Sequence, residues 1–190
     1  LINSIAIPST DGIKNFEIYH EDITEIKWKY DLLVISASIK PHQYFPATGT
    51  LIEALLNNCD VNVSDIAQNP EIDLRQNLNC WISKKNSNNA FERILCIEGI
   101  RKNLESKGNI NESLSNFFGV LSLLSYKKMG ISKIVLPIIG TGVQDTPIDV
   151  VLQPLLDGAY NALKTNNQLK SICFVERDKE KADSIDNYIN

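Results

Sequence analysis

Short runs of consecutive apolar residues alternate along the chain with longer stretches in which apolar positions recur every three to four residues. The first kind reads as strands buried on both faces, the second as helices laid over them, and together they predict an α/β domain. Residues 4–7 and 16–19 read as opening strands around the turn Ser9-Thr10-Asp11-Gly12, and Leu32-Leu33-Val34-Ile35-Ser36-Ala37 as a fully buried strand. Residues 50–57 place Leu51, Ile52, Leu55 and Leu56 on one helical stripe. Residues 57–76 are polar and rich in Asn and Asp, which predicts an irregular connection with one helical turn. Residues 80–83 and 93–98 follow as strands joined by a turn through Asn86-Ser87-Asn88-Asn89. The longest predicted helix covers 111–129, with Asn111 as N-cap, Leu114, Phe117, Phe118, Leu121, Leu124 and Ser125 on one face, and Gly130 as terminator. Residues 134–139 form another buried strand, followed by a helix over 150–163, a strand over 171–175 and a charged helix over 179–189. Nothing repeats and no linker interrupts the pattern, so residues 1–190 are read as one domain.

Composition narrows the function classes. With 43% hydrophobic residues in 190, the chain can bury a sizeable core. Its 19 Lys and Arg against 23 Asp and Glu leave a charge of -4, without the basic excess that holds a phosphate backbone, so nucleic acid is not an expected partner. No run of 18 apolar residues and no basic leader is present, and the start at Leu1 in place of Met is expected to mark a piece of a longer chain. The four cysteines, at 59, 80, 96 and 173, show no Cys-x-x-Cys spacing. Cys96 and Cys173 lie inside apolar runs, which predicts buried thiols in a reducing, cytoplasmic compartment. His20 and His42 are too few for a His-rich metal centre, and neither stands beside a nucleophile, so no catalytic residue, metal or cofactor is assigned.

The most informative stretch is Pro137-Ile138-Ile139-Gly140-Thr141-Gly142-Val143-Gln144, where a buried strand runs into a Gly-x-Gly turn ahead of a helix. Open α/β sheets bind ligands at the carboxyl ends of their strands. Glycines let backbone approach a diphosphate, and successive N–H groups form an anion nest. A plain tight turn uses the same glycines, so the pattern alone leaves both readings open. It is neither a Walker A loop nor the Gly-x-Gly-x-x-Gly of a dinucleotide fold.

Four further stretches join it: Glu21-Asp22-Ile23-Thr24, the strand from Asp31 to Ser38, the loop Pro46-Ala47-Thr48-Gly49-Thr50, and Phe174 at the end of the last core strand. In this order they resemble the macro domain, the ADP-ribose-binding module, over most of the chain. The first is similar to the family's Gly-Asp-Ile-Thr, the second to its strand ending in Asn-Ala-Ala-Asn, and the third stands in place of its glycine-rich phosphate loop. Residues 137–143 are similar to its second phosphate loop. The resemblance implies a three-layer α/β/α fold with a mixed central sheet and a nucleotide site at the strand ends. There Asp22, beside Ile23, would accept the adenine amino proton and Phe174 would stack on the base. Ser36 and Ser38 would lie at the strand end, and the N–H groups of Gly49, Thr50, Gly140, Thr141, Gly142 and Val143 would hold the diphosphate. His42, Tyr44 and Arg177 would set selectivity.

Ser38 stands where de-ADP-ribosylating members carry Asn, and the first loop has a single glycine, Gly49. The resemblance therefore implies a binding module more than an enzyme, with an ADP-ribosyl hydrolase as the alternative. It is similar to the sensor domains of Thoeris-type anti-phage systems, in which a TIR enzyme makes a modified ADP-ribose from NAD. That implies ADP-ribose, or its histidine or imidazole conjugate, as ligand. It also implies an effector or membrane segment elsewhere in the full chain, and ligand-linked oligomerisation. From the residues alone, Asp22 reads first as a turn cap, Phe174 also fits ordinary core, Ser36 and Ser38 partners for backbone groups, and His42 and Tyr44 a solvent-facing loop. Trp28 and Trp81 read as packing residues.

Overall fold

The computed structural model describes residues 1–37, 44–86, 90–98, 106–142 and 146–190 of the chain. Strands β1 (Asn3–Ser9) and β2 (Gly12–His20) form an antiparallel hairpin closed by Gly12, whose φ of 126° only glycine adopts readily. Beyond β2 the sheet continues with β8 (Ser171–Glu176), β7 (Lys133–Leu136), β3 (Tyr30–Ala37), β6 (Phe91–Glu98), β5 (Cys80–Ile82) and β4 (Ile72–Asp73). From β2 to β6 every neighbouring pair is parallel, whereas the outer pairs are antiparallel, so the sheet is mixed. The carboxyl ends of β2, β8, β7, β3 and β6 consequently emerge along one edge.

Among the described residues six helices cover the two faces: α1 (Leu51–Cys59), α2 (Val63–Gln68), α3 (Arg75–Leu78), α4 (Ser106–Tyr126), α5 (Ile148–Thr165) and α6 (Lys179–Ile189). The period of two along each strand divides its side chains between two cores. Ile172 and Phe174 of β8, Ile134 and Leu136 of β7, and Leu32 and Val34 of β3 meet α4, α5 and Ile185 of α6. Cys173, Val175, Val135, Leu33 and Ile35 meet α1, α2 and the indole of Trp81. The arrangement is the expected three-layer α/β/α fold. Each fully buried Leu, Ile or Phe contributes roughly 1.5–3 kcal/mol relative to exposure. Between α4 and α5 the packing is tight at Gly158, where a Cβ would sit 2.0 Å from Cε2 of Phe118.

Three expectations about elements need correction. The chain is already helical at Ser106, so Asn111 lies inside α4 and does not cap it. Ile110 explains the earlier start, since it is buried and extends the stripe of Leu114, Phe117, Leu121 and Leu124 by one turn. Val120 is also fully buried, whereas Phe118 and Ser125 sit at the margin of that face. Residues 57–76 are more ordered than their polarity suggests: Asn62 caps α2 through Ser64 and Asp65 N–H groups, and β4 and α3 follow. Finally, β7 ends at Leu136, because Pro137 has no N–H to continue a ladder. The expected turn at 86–89 lies mostly outside the described residues.

Candidate functional site

The loop after β2 is an Asx turn. One carboxylate oxygen of Asp22 accepts from the N–H of Thr24 at 2.9 Å and its hydroxyl at 2.7 Å. Thr24 is in turn held by α1, accepting from Asn58 Nδ2 at 2.8 Å. Asp22 thus does cap its own turn, and Ile23 packs against the α1 side core. The end of β8 is adjacent: Glu21 N–H donates to the carbonyl of Glu176, and an imidazole nitrogen of His20 lies 3.2 Å from the carbonyl of Arg177. Exposed Arg177 therefore stands beside the Asp22 turn at the carboxyl edge.

The loop after β7 is clamped from two sides. The carboxylate of Glu176, the last residue of β8 and only 8% exposed, accepts from the N–H of Ile138. From α6, Lys181 Nζ donates to the carbonyl of Thr141 at 2.8 Å and approaches its hydroxyl at 3.3 Å. The Thr141 hydroxyl closes the loop on the Ile138 carbonyl at 3.0 Å. Gly140 takes φ 86°, and Gly142 is exposed with open space where a side chain would project. Burial pushes the Glu176 carboxyl up to about 7, against the opposing pull of the Ile138 N–H and Lys181. Neither clamp residue was singled out by sequence, although a charge closing a buried strand, Val175-Glu176, was a usable signal.

The loop before α1 behaves differently from the expectation. Thr50 caps the helix, its hydroxyl accepting from Glu53 N–H at 3.1 Å. Glu53 reaches back to the N–H of Gly49 at 2.7 Å, and the N–H of Thr50 donates to the Ala47 carbonyl at 3.1 Å. The sequence Thr50-x-x-Glu53 is a capping box read one residue early. Both N–H groups expected to bind diphosphate are satisfied within the loop, and the partner of one is itself an anion.

Phe174 must also be corrected. It is fully buried, on the α4 and α5 side of the sheet, with its ring stacked on Phe16 at 5.0 Å between centroids. No face of it is open to a base. A run of six buried positions in β8 hides which side each residue takes, and the parity of Ile172 sends Phe174 away from the edge. Ser36 is half-buried near the end of β3. Ser38, His42 and Val143 lie outside the described residues.

Farther along the same edge, Tyr44, Trp81 and Glu98 meet. The hydroxyl of Tyr44 donates to the Glu98 carboxylate, and the indole N–H of Trp81 donates to the Tyr44 oxygen at 3.0 Å. The two rings are edge to face, 6.0 Å apart. Glu98 ends β6 opposite Ala37 of β3 and is 7% exposed.

Other chemistry is sparse. Among the described residues no cluster of His, Cys, Asp or Glu could hold a metal, and no helix is long and apolar enough to cross a membrane. All four cysteines are free thiols, three of them buried. A cavity of about 330 Å³ opens at the opposite, amino end of β6, between Val61, Ile66, Lys84, Phe91 and Arg93. Two of its cations, Arg93 and Lys85, are paired with Glu71 and Glu92 at 3.0 and 2.8 Å.

No protein-family model matches the sequence, and no curated protein does. The fold has clear counterparts among solved structures. The Oceanobacillus iheyensis macrodomain with ADP aligns at TM-score 0.70 and 16% identity, over 98% of this chain and 95% of that one. A point mutant of the same protein aligns at 0.71 and 16%, over 98% and 92%. The Trypanosoma brucei macrodomain in complex with ADP-ribose aligns at 0.65 and 14%, over 92% and 69%. At such identities the likeness concerns the fold, and the fold of this chain is that of macrodomains.

Proposed function

We propose that the chain binds ADP-ribose or a conjugate of it along the carboxyl edge of the sheet and acts as a sensor of that nucleotide. The observation that carries this reading is the convergence there of the Asp22 turn, Arg177 and the clamped Gly140-Thr141-Gly142 loop, in a fold shared with a protein solved with ADP-ribose. In this reading the free carboxylate oxygen of Asp22 accepts the adenine amino proton, while Arg177 supplies the flat cationic surface that Phe174 cannot. The N–H groups of Gly140, Thr141 and Gly142 in the second glycine loop meet the diphosphate. Glu53 yields the Gly49 N–H only when a stronger anion competes for it. Ser36 and Tyr44 line the far end.

Sensing is favoured over hydrolysis because Ser38 stands where, by the resemblance, de-ADP-ribosylating members carry Asn. By its resemblance to Thoeris-type sensor domains, the signal is an ADP-ribose derivative made from NAD by a TIR enzyme. Occupancy then passes to an effector region. Calorimetric titration with ADP-ribose tests the site, with the recovered nucleotide checked by chromatography. Gly142→Glu, which adds charge in open space, should abolish binding while the protein melts normally. Asp22→Asn keeps the turn acceptor and should weaken binding at least tenfold. Normal affinity in a folded Gly142→Glu protein refutes the site, and turnover of ADP-ribose conjugates refutes the sensor reading in favour of a hydrolase.

A further inference from the structure

We propose that Glu98, oriented by Tyr44 and Trp81, forms a subsite for a positively charged group attached to the far end of the nucleotide. The inference rests on the proposed function and adds the chemical class of the terminal group. Its first support is position. With neighbouring strands about 4.8 Å apart, the end of β6 lies roughly four spacings, or about 19 Å, from the end of β2 where Asp22 sits. A ligand whose base lies at Asp22 and whose diphosphate lies at the β7 loop points its other end toward β3 and β6. Tyr44 belongs to the connection between β3 and α1, and Glu98 is paired with Ala37.

The second support is charge. Glu98 is 7% exposed, and its backbone is fixed by its own N–H donating to the Asn79 carbonyl at 2.6 Å. The Tyr44 hydroxyl accepts from the Trp81 indole and donates to Glu98, and the Arg75 guanidinium also meets it. Burial, reinforced by the Glu98 contact, pushes the Tyr44 hydroxyl up, which keeps it a donor at every physiological pH. Among the described residues no Lys, Arg or His pairs with Glu98. The Arg75 guanidinium reaches the Tyr44 hydroxyl but is held by Asp73 through contacts of 2.9 and 2.5 Å. A buried carboxylate is costly unless a cation or several donors meet it. One phenol meets one side of this carboxylate, and a cationic ligand group supplies the rest.

Oxidised and reduced nicotinamide dinucleotides test this directly, since both present an ADP-ribose with a ring at the far end but only NAD⁺ carries the positive charge. Calorimetry would measure ADP-ribose, NAD⁺ and NADH against the wild type and Glu98→Gln, with thermal melting as the check of folding. NAD⁺ is expected to bind at least tenfold more tightly than NADH to the wild type, and the ratio is expected to fall to about one in Glu98→Gln. Equal affinities in the wild type, a preference for NADH, or a preference that survives in Glu98→Gln overturns the proposal. So does binding of ADP-ribose with exclusion of both dinucleotides. The wild-type ratio decides the matter if the variant does not fold. A wild type that binds no ADP-ribose instead refutes the proposed function, and this inference with it.

Discussion

Glu176 offers a measurable consequence of the site's construction. Its carboxyl lies at the end of β8 among buried neighbours and is raised from 4.5 to about 7, chiefly by burial. Lys181, Arg177 and the Ile138 N–H pull it back toward ionisation, and Asp178 pushes it further up. A carboxyl whose folded value exceeds its unfolded value binds its proton more tightly when folded. Its stabilising contribution is therefore full below the unfolded value of 4.5, declines as pH rises through that interval, and is gone above about 7. At about 1.4 kcal/mol per pH unit the interval corresponds to about 3 kcal/mol. For a domain of this size that is roughly 6–12 °C in melting temperature. Glu176→Gln retains an oxygen to accept from Ile138 N–H but cannot titrate. The variant should match the wild type near pH 4.5 and exceed it by about 3 kcal/mol at pH 8, as read by urea denaturation across the range. Other carboxylates titrate equally in both proteins and cancel in the difference. A difference that does not change between pH 5 and pH 8 refutes the reasoning. The same group couples to ligand: an anion arriving at the Gly140-Thr141-Gly142 loop favours the protonated carboxyl beneath it, so ADP-ribose binding at pH 7.5 should take up protons. Calorimetry in buffers of different ionisation enthalpy detects that uptake.

Two further outcomes test the packing. Gly158→Ala drives a methyl into the Phe118 ring and should cost about 1–3 kcal/mol in urea denaturation, whereas unchanged or increased stability would mean that the ring swings aside. Burial pushes the Cys80 and Cys173 thiols up to about 12 and raises Cys96 well above its ordinary value, so a thiol reagent at pH 8 should label only half-buried Cys59 in the native protein and all four in urea. Rapid reaction of a second native thiol contradicts the described core.

How far the chain could be read depended on whether local pattern and tertiary context agreed. Strands β3, β7 and β8 are continuous apolar runs, which only a doubly covered sheet accommodates, so the α/β class and the order of elements followed directly. The same continuity concealed facing. In β8 every residue from Ser171 to Glu176 is buried, and nothing in the run distinguishes Phe174 from Val175. Only pairing with Ile18 and Leu136 sets its side, and those partners are distant in sequence. The early start of α4 was obscured for a related reason: Gly108 and Asn111 lower helix propensity locally, but anchoring of Ile110 in the core outweighs them.

At the site, the glycines were visible because their backbone role is local, whereas the groups that shape the loops were not. Glu176 and Glu98 each close a buried strand, and in both the carboxylate turns toward a neighbouring loop that sequence separates by 38 and 54 residues. Glu53 acts only three residues from Thr50, yet it was masked by the assumption that the loop's N–H groups await a ligand. These three acids give the carboxyl edge a character that the glycine pattern alone does not: one carboxylate occupies a would-be anion donor, one lies beneath the second loop, and one faces the far end. A diphosphate entering this edge must displace the first and is helped by protonation of the second. An appended cation would relieve the third. On the proposed reading the acids would disfavour a bare anion and favour a nucleotide whose far end is positive, the discrimination that a sensor of a modified ADP-ribose would require.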